Sequence, residues 1–106
     1  MRSEVHHNNL SDDQGRPAGG ETHGRGFRID WQNGPLAVDG VRREPNGAFV
    51  EDIIEAAIGR IEFYQRSEFD CIENAVALGH LKVAAEVLAE RTRGRERRGV
   101  EGTHTI

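Results

Sequence analysis

Residues 91–98 read RTRGRERR, five arginines against one glutamate. That is a local charge of +4 in a chain whose formal net charge is −4, so the remainder carries −8. Guanidinium groups offer planar donor forks that suit phosphate and carboxylate oxygens. A protein that coats nucleic acid spreads basic residues widely, because duplex affinity accumulates from many phosphate contacts. Here the positive charge is confined to one place, which favours a small anionic partner over nucleic acid. The simpler role for any one arginine is to solvate a helix end, where cations complement the helix dipole by about 0.3–1 kcal/mol each. Other chemistry is sparse. Walker, GxGxxG, GxSxG and HExxH motifs are all absent, so no enzyme is indicated, and no metal or cofactor. His6, His7, His23, His80 and His104 lack metal-ligand spacing. His80 fits a satisfied interface histidine better than a ligand. The single cysteine, Cys71, excludes an internal disulfide and fits a reducing compartment. A small core residue is its plainer role. Asn74 is different, since an asparagine facing a groove between subunits is costly unless it bonds something.

These groups need elements to hold them. The chain has 106 residues, which makes one domain the starting expectation. No run approaches the ~18 apolar residues of a membrane span, and the N-terminus lacks an apolar signal core. Both point to action inside the cell that makes the protein, away from membranes. Residues 1–25 are polar and glycine-rich with little to bury, and read as a disordered tail. The organised domain, residues 26–106, opens with Phe27, Ile29 and Trp31 alternating with Arg28 and Asp30, the period of a strand. Asn33-Gly34-Pro35 is a turn, and Leu36–Val38 a short return strand ahead of a turn at Asp39-Gly40. Val41–Pro45 runs extended.

Asn46 suits a helix N-cap. Phe49, Val50, Ile53, Ile54, Ala57, Ile58 and Ile61 then recur at helical spacing. Ser67 with Asp70 resembles a capping box. A second helix is expected from about Glu68 to Arg93, with Gly94 and Gly99 as stops. It carries two apolar stripes: Phe69, Ile72, Val76, Val83 and Val87 on one, Leu78, Leu81, Ala85 and Leu88 on the other. The expected fold is α+β, a short β-hairpin followed by an antiparallel two-helix hairpin. Two helices and a hairpin this small cannot cover apolar faces so wide. The composition therefore implies an obligate homo-oligomer, a dimer first, with its core shared between copies.

The stretches IDWQNGPL (29–36), RREPNGAFVE (42–51), RIEFYQ (60–65), FDCIENAVAL (69–78) and LAERTRGRERRGVEGTH (88–104) resemble a family of phage proteins with a helical hairpin. These counter the bacterial Thoeris and CBASS defences. The resemblance covers Gly26 to His104 and is closest to the anti-Thoeris branch. It implies a sponge rather than an enzyme, one that binds cyclic nucleotide immune signals and holds them intact in the cytoplasm of the infected host. The implied ligands are cyclic ADP-ribose isomers, with CBASS cyclic di- or trinucleotides at separate sites. The implied assembly is dimers built into hexamers, with pockets between subunits.

Matched to the family's motifs, Tyr64, Asn74 and Arg91 face the ligand. An arginine from the segment before the first helix joins them, assigned to Arg43 with its neighbour Arg42 as the alternative. Chemistry suits each role. An aromatic ring stacks on a base for ~1–3 kcal/mol, an asparagine amide both donates and accepts, and arginine forks onto phosphate. Gly102, Thr103 and His104 of the GVEGTH string are further candidates. Glycines admit a close backbone approach and an anion nest, although docking against a neighbouring subunit fits equally. The chain departs from the family at Gly79-His80, where a threonine-lysine pair is more usual. A trinucleotide pocket that relied on that lysine would be compromised here. Two other functions fit the residues alone: a nucleic-acid-binding or regulatory phage protein, and a purely structural oligomeric partner.

Overall fold

The structure, a computed structural model, describes residues 4–105. Among these residues five strands precede two helices: β1 (Val5–Ser11), β2 (Pro17–Gly24), β3 (Phe27–Asp30), β4 (Ala37–Val38), β5 (Val41–Arg42), α1 (Val50–Gln65) and α2 (Ile72–Arg98). The class is α+β, as expected. The residues before Val50 and after Gly99 form one compact unit, and Val50–Gly99 form a second.

The expected disordered tail is the largest correction. β1 and β2 pair antiparallel with His6 opposite His23 and His7 opposite Thr22, and β2 pairs with β3, giving the sheet order β1-β2-β3. The expectation rested on the lack of apolar residues, but here the ladder is closed by polar chemistry. The Asp12 carboxylate accepts from Gln14 N at 2.9 Å, Arg16 N at 3.0 Å and Arg16 Nε at 3.0 Å, which fixes the β1–β2 turn. Thr22 is only 7% exposed. Its hydroxyl accepts from Trp31 Nε1 at 2.9 Å and lies 3.3 Å from His7 Nδ1. Gly20 sits at φ +114°, and a Cβ there would lie 2.1 Å from the Asn8 carbonyl oxygen. Glycine is required where another strand's backbone approaches so closely.

Pairing of the later strands also differs from expectation. Phe27–Asp30 is a strand, but it pairs with β2 and not with the Leu36–Val38 segment. β4 instead pairs with β5 across Asp39-Gly40. Both turn residues have positive φ, 52° and 76°, the primed geometry that suits a two-residue hairpin. Asn46 does not cap a helix. Its Oδ1 accepts from Asn33 N at 2.8 Å and its Nδ2 donates to Asn33 O at 2.9 Å, so the amide mimics a strand neighbour. Gln32 N donates to Ala48 O and Ala48 N to Asp30 O, which seats this segment at the end of β3. The first helix consequently begins at Val50.

In the helical unit, α1 turns Ile53, Ile54, Ala57, Ile58 and Ile61 away from solvent. Ile58, 6% exposed, is the one buried apolar side chain among the described residues. The two helices pack on each other, and Glu62 pairs with Lys82 at 3.4 Å. Of the two stripes on α2, Leu78, Leu81, Ala85 and Leu88 are half-buried. The other stripe faces water: Ile72 is 79% exposed, with Val76, Val83 and Val87 also exposed, and Phe69, in the turn before the helix, is 69% exposed. α2 starts later and ends later than expected. Cys71 is its N-cap, with Sγ accepting from Asn74 N at 3.4 Å, and no Ser67–Asp70 capping box forms. The helix runs through Gly94 and stops at Gly99, whose N–H bonds Arg95 O and Glu96 O.

Candidate functional site

Tyr64 occupies the last turn of α1, and its backbone oxygen accepts from Ser67 N at 3.0 Å and Ser67 Oγ at 2.6 Å. The following turn is fixed by Gln65, whose amide donates to Cys71 O at 3.0 Å and accepts from Cys71 N at 3.1 Å. This brings the start of α2 to the end of α1. Asn74 is half-buried in the first turn of α2, and its side-chain amide donates to the Phe69 carbonyl at 3.5 Å. Tyr64 and Asn74 thus belong to the same end of the helical unit.

Arg91 does not. It lies near the far end of α2, about 25 Å further along the axis than Asn74 at 1.5 Å per residue. Arg91 is exposed and has no ion pair among the described residues. Its neighbours are engaged. Arg93 donates to Glu90 at 2.7 Å and to Glu86 at 3.1 Å, and Arg97 reaches Glu90 at 3.4 Å. The hydrogen bonds from Arg93 and then Arg97 hold the Glu90 carboxyl below the usual carboxylate range. The hydrogen bonds to Glu90 and then Glu86 push the Arg93 guanidinium pKa upward. The arginine patch is therefore partly neutralised along the Glu86–Glu90–Arg93–Arg97 stripe, and Arg91 lies off that stripe.

The β-rich unit separates Arg42 from Arg43. Arg42 forks onto the Glu101 carboxylate through both terminal nitrogens. Arg43 is exposed and has no ion pair among the described residues, while its backbone N–H donates to Leu36 O at 2.6 Å. The GVEGTH string folds back onto its own chain: Ala37 N donates to Gly102 O at 2.9 Å. Gly102 has φ +78°, and a Cβ there would meet Arg42 Nη1 at 3.2 Å and the Leu36 Cβ at 3.3 Å, so glycine fits where other residues would strain. Thr103 Oγ1 donates to Val100 O at 2.5 Å and accepts from Thr105 N at 3.1 Å. His104 is exposed. Within one chain, Gly102 and Thr103 are thus occupied in holding this segment.

Sequence reasoning missed two residues. Glu101 is the partner that takes up Arg42. Arg60 lies against the Tyr64 ring, and the Arg-to-aromatic spacing of one helical turn was the available signal. Among the described residues no group of three or more His, Cys, Asp or Glu could hold a metal ion. Among the same residues no helix is long and apolar enough to cross a membrane.

Fold and site together define a small α+β protein whose two long helices follow a β-rich segment and carry an aromatic, an amide and an unpaired arginine. No protein-family model matches the chain. It is 45% identical over 76 residues, 72% of its length, to Thoeris anti-defense 1 of Bacillus phage SBSphiJ7. The chain belongs to this Thoeris anti-defence family. The match covers 51% of the relative, so the chain spans about half the length of the curated protein it resembles.

Proposed function

We propose that the protein is a phage anti-defence factor that binds cyclic nucleotide immune signals in the host cytoplasm and holds them uncleaved. Cyclic ADP-ribose isomers are the first class of ligand, and CBASS-type cyclic di- or trinucleotides a second. The observation that carries this reading is the relationship to a Thoeris anti-defence protein. The charge pairing supports it. Arg91 and Arg43 keep open guanidinium groups while Arg93, Arg97 and Arg42 are committed to carboxylates. A few unpaired arginines suit a pyrophosphate better than they suit a duplex.

The site requires more than one copy. A small cyclic nucleotide does not bridge the ~25 Å between Asn74 and Arg91 of one helix. A second chain supplies Arg91 to the Tyr64–Asn74 end of the first. The exposed stripe from Phe69 to Val87 is the face that would bury against that copy. In this reading Tyr64 stacks on the base, Asn74 bonds a base or ribose edge and Arg91 binds phosphate oxygens; on the β-rich unit, Arg43 is a further phosphate ligand and His104 and the GVEGTH backbone are further candidates. Dimers built into hexamers would repeat such pockets.

Calorimetry of purified protein against a panel of cyclic nucleotides tests the proposal. Binding of a cyclic ADP-ribose isomer is expected, with the ligand recovered intact by mass spectrometry after heat denaturation. A cleaved ligand would overturn the non-enzymatic part. Duplex DNA binding with a steep salt slope, and no nucleotide binding, would replace the whole reading with a nucleic-acid function.

A further inference from the structure

Arg60 lies on α1, one turn before Tyr64. Its guanidinium carbon is 5.0 Å from the Tyr64 ring centroid and 5.1 Å from that of Phe63. Its Nε donates to the Tyr64 hydroxyl oxygen at 3.2 Å. The two rings are 6.3 Å apart, tilted by 58°, and both are exposed. α1 also carries Glu51, Asp52, Glu55 and Glu62, yet Arg60 has no ion pair among the described residues, and Glu62 pairs with Lys82. The cation is held by two ring faces and a phenol instead of by a carboxylate. An aromatic face attracts a guanidinium through its negative quadrupole, and a neighbouring hydrogen bond fixes the approach.

We propose that Arg60 is a positioning residue for base recognition: it covers one face of Tyr64 and anchors the hydroxyl, leaving the opposite face for a purine. Two consequences follow from the geometry. A ring restrained before the ligand arrives loses less freedom on stacking. The phenol oxygen accepts from Arg60, so its own proton points away from that side chain and is available to an acceptor on the ligand. The inference rests on the role given to Tyr64 above.

A double-mutant cycle tests it, read by calorimetry with the cyclic ADP-ribose isomer that the wild-type chain binds most tightly. Arg60→Ala is expected to weaken binding about tenfold. In a Tyr64→Ala background the same change is expected to cost less than about twofold, because the residue acts through the ring. Arg60→Lys keeps a cation over the ring but loses the Nε bond, and is expected to recover part of the affinity. Unchanged thermal stability and oligomer size in the variants separate positioning from folding. Full affinity in Arg60→Ala, or additive losses in the double mutant, would overturn the inference. A wild-type chain that binds no cyclic nucleotide overturns the proposed function and this inference with it.

Discussion

At the scale of single residues, adjacent arginines have opposite fates. Arg42 and Arg43 are neighbours in an extended segment, and the family resemblance favoured Arg43 only narrowly. The structure commits Arg42 to Glu101 and leaves Arg43 open. Arg43→Ala is expected to reduce ligand affinity by about 1.5–3 kcal/mol, the value of a hydrogen bond to a charged group. Arg42→Ala is expected instead to raise hydrogen exchange over residues 100–105, with a smaller effect on affinity. Equal losses of affinity in both variants would remove the distinction. Arg91→Ala is expected to abolish binding measured by calorimetry while leaving the assembly intact by light scattering. Loss of assembly would make Arg91 structural. The arginine cluster was visible in the sequence, and the resemblance at its RT motif singled out Arg91 within it. The freedom of Arg91 was not legible, because Glu86 and Glu90 fall seven and three positions before Arg93 on a helix that had first to be phased.

At the scale of elements, the helices were legible and the first two strands were not. Helical spacing of Ile53, Ile54, Ala57, Ile58 and Ile61 carried the first helix, because burial and periodicity coincide there. Residues 5–24 have no such signal. Their order comes from hydrogen bonds at Asp12 and Thr22 and from a glycine beside a carbonyl, none of which alters hydropathy. Gly20→Ala should therefore separate β1 from β2 and cost on the order of 1–3 kcal/mol of local stability, read by amide exchange in β1. The end of α2 is acid-sensitive. The Glu90 carboxyl is held below its ordinary range by Arg93 and Arg97, so its contribution is present above the unfolded value of about 4.3 and lost as pH falls through the folded one. Amides of residues 94–98 should exchange faster as pH is lowered through that window, after correction for intrinsic rates. Glu90→Gln should remove the pH dependence.

At the scale of the molecule, apolar surface is the unresolved quantity of a single chain. Two stripes on α2 were legible as apolar, and one of them is half-covered in the helical unit. The other, from Phe69 to Val87, is exposed. Val83→Asp, placed in that stripe, is expected to shift the protein to smaller species by light scattering and to abolish ligand binding with them. An unchanged assembly would show that another surface joins the copies. The thermal midpoint of the wild-type chain should rise with protein concentration, as it does when subunits complete each other's core.

The return of residues 100–105 to β4 has a consequence for how the chain is made. The helical unit is spliced into the middle of the β-rich one, and the Arg42–Glu101 contact spans 59 positions. On the ribosome, Arg42 and Ala37 emerge long before Gly102 and Glu101 are synthesised. The β-rich unit therefore stays unsealed while both helices form, and its final latch is also its costliest loop to close.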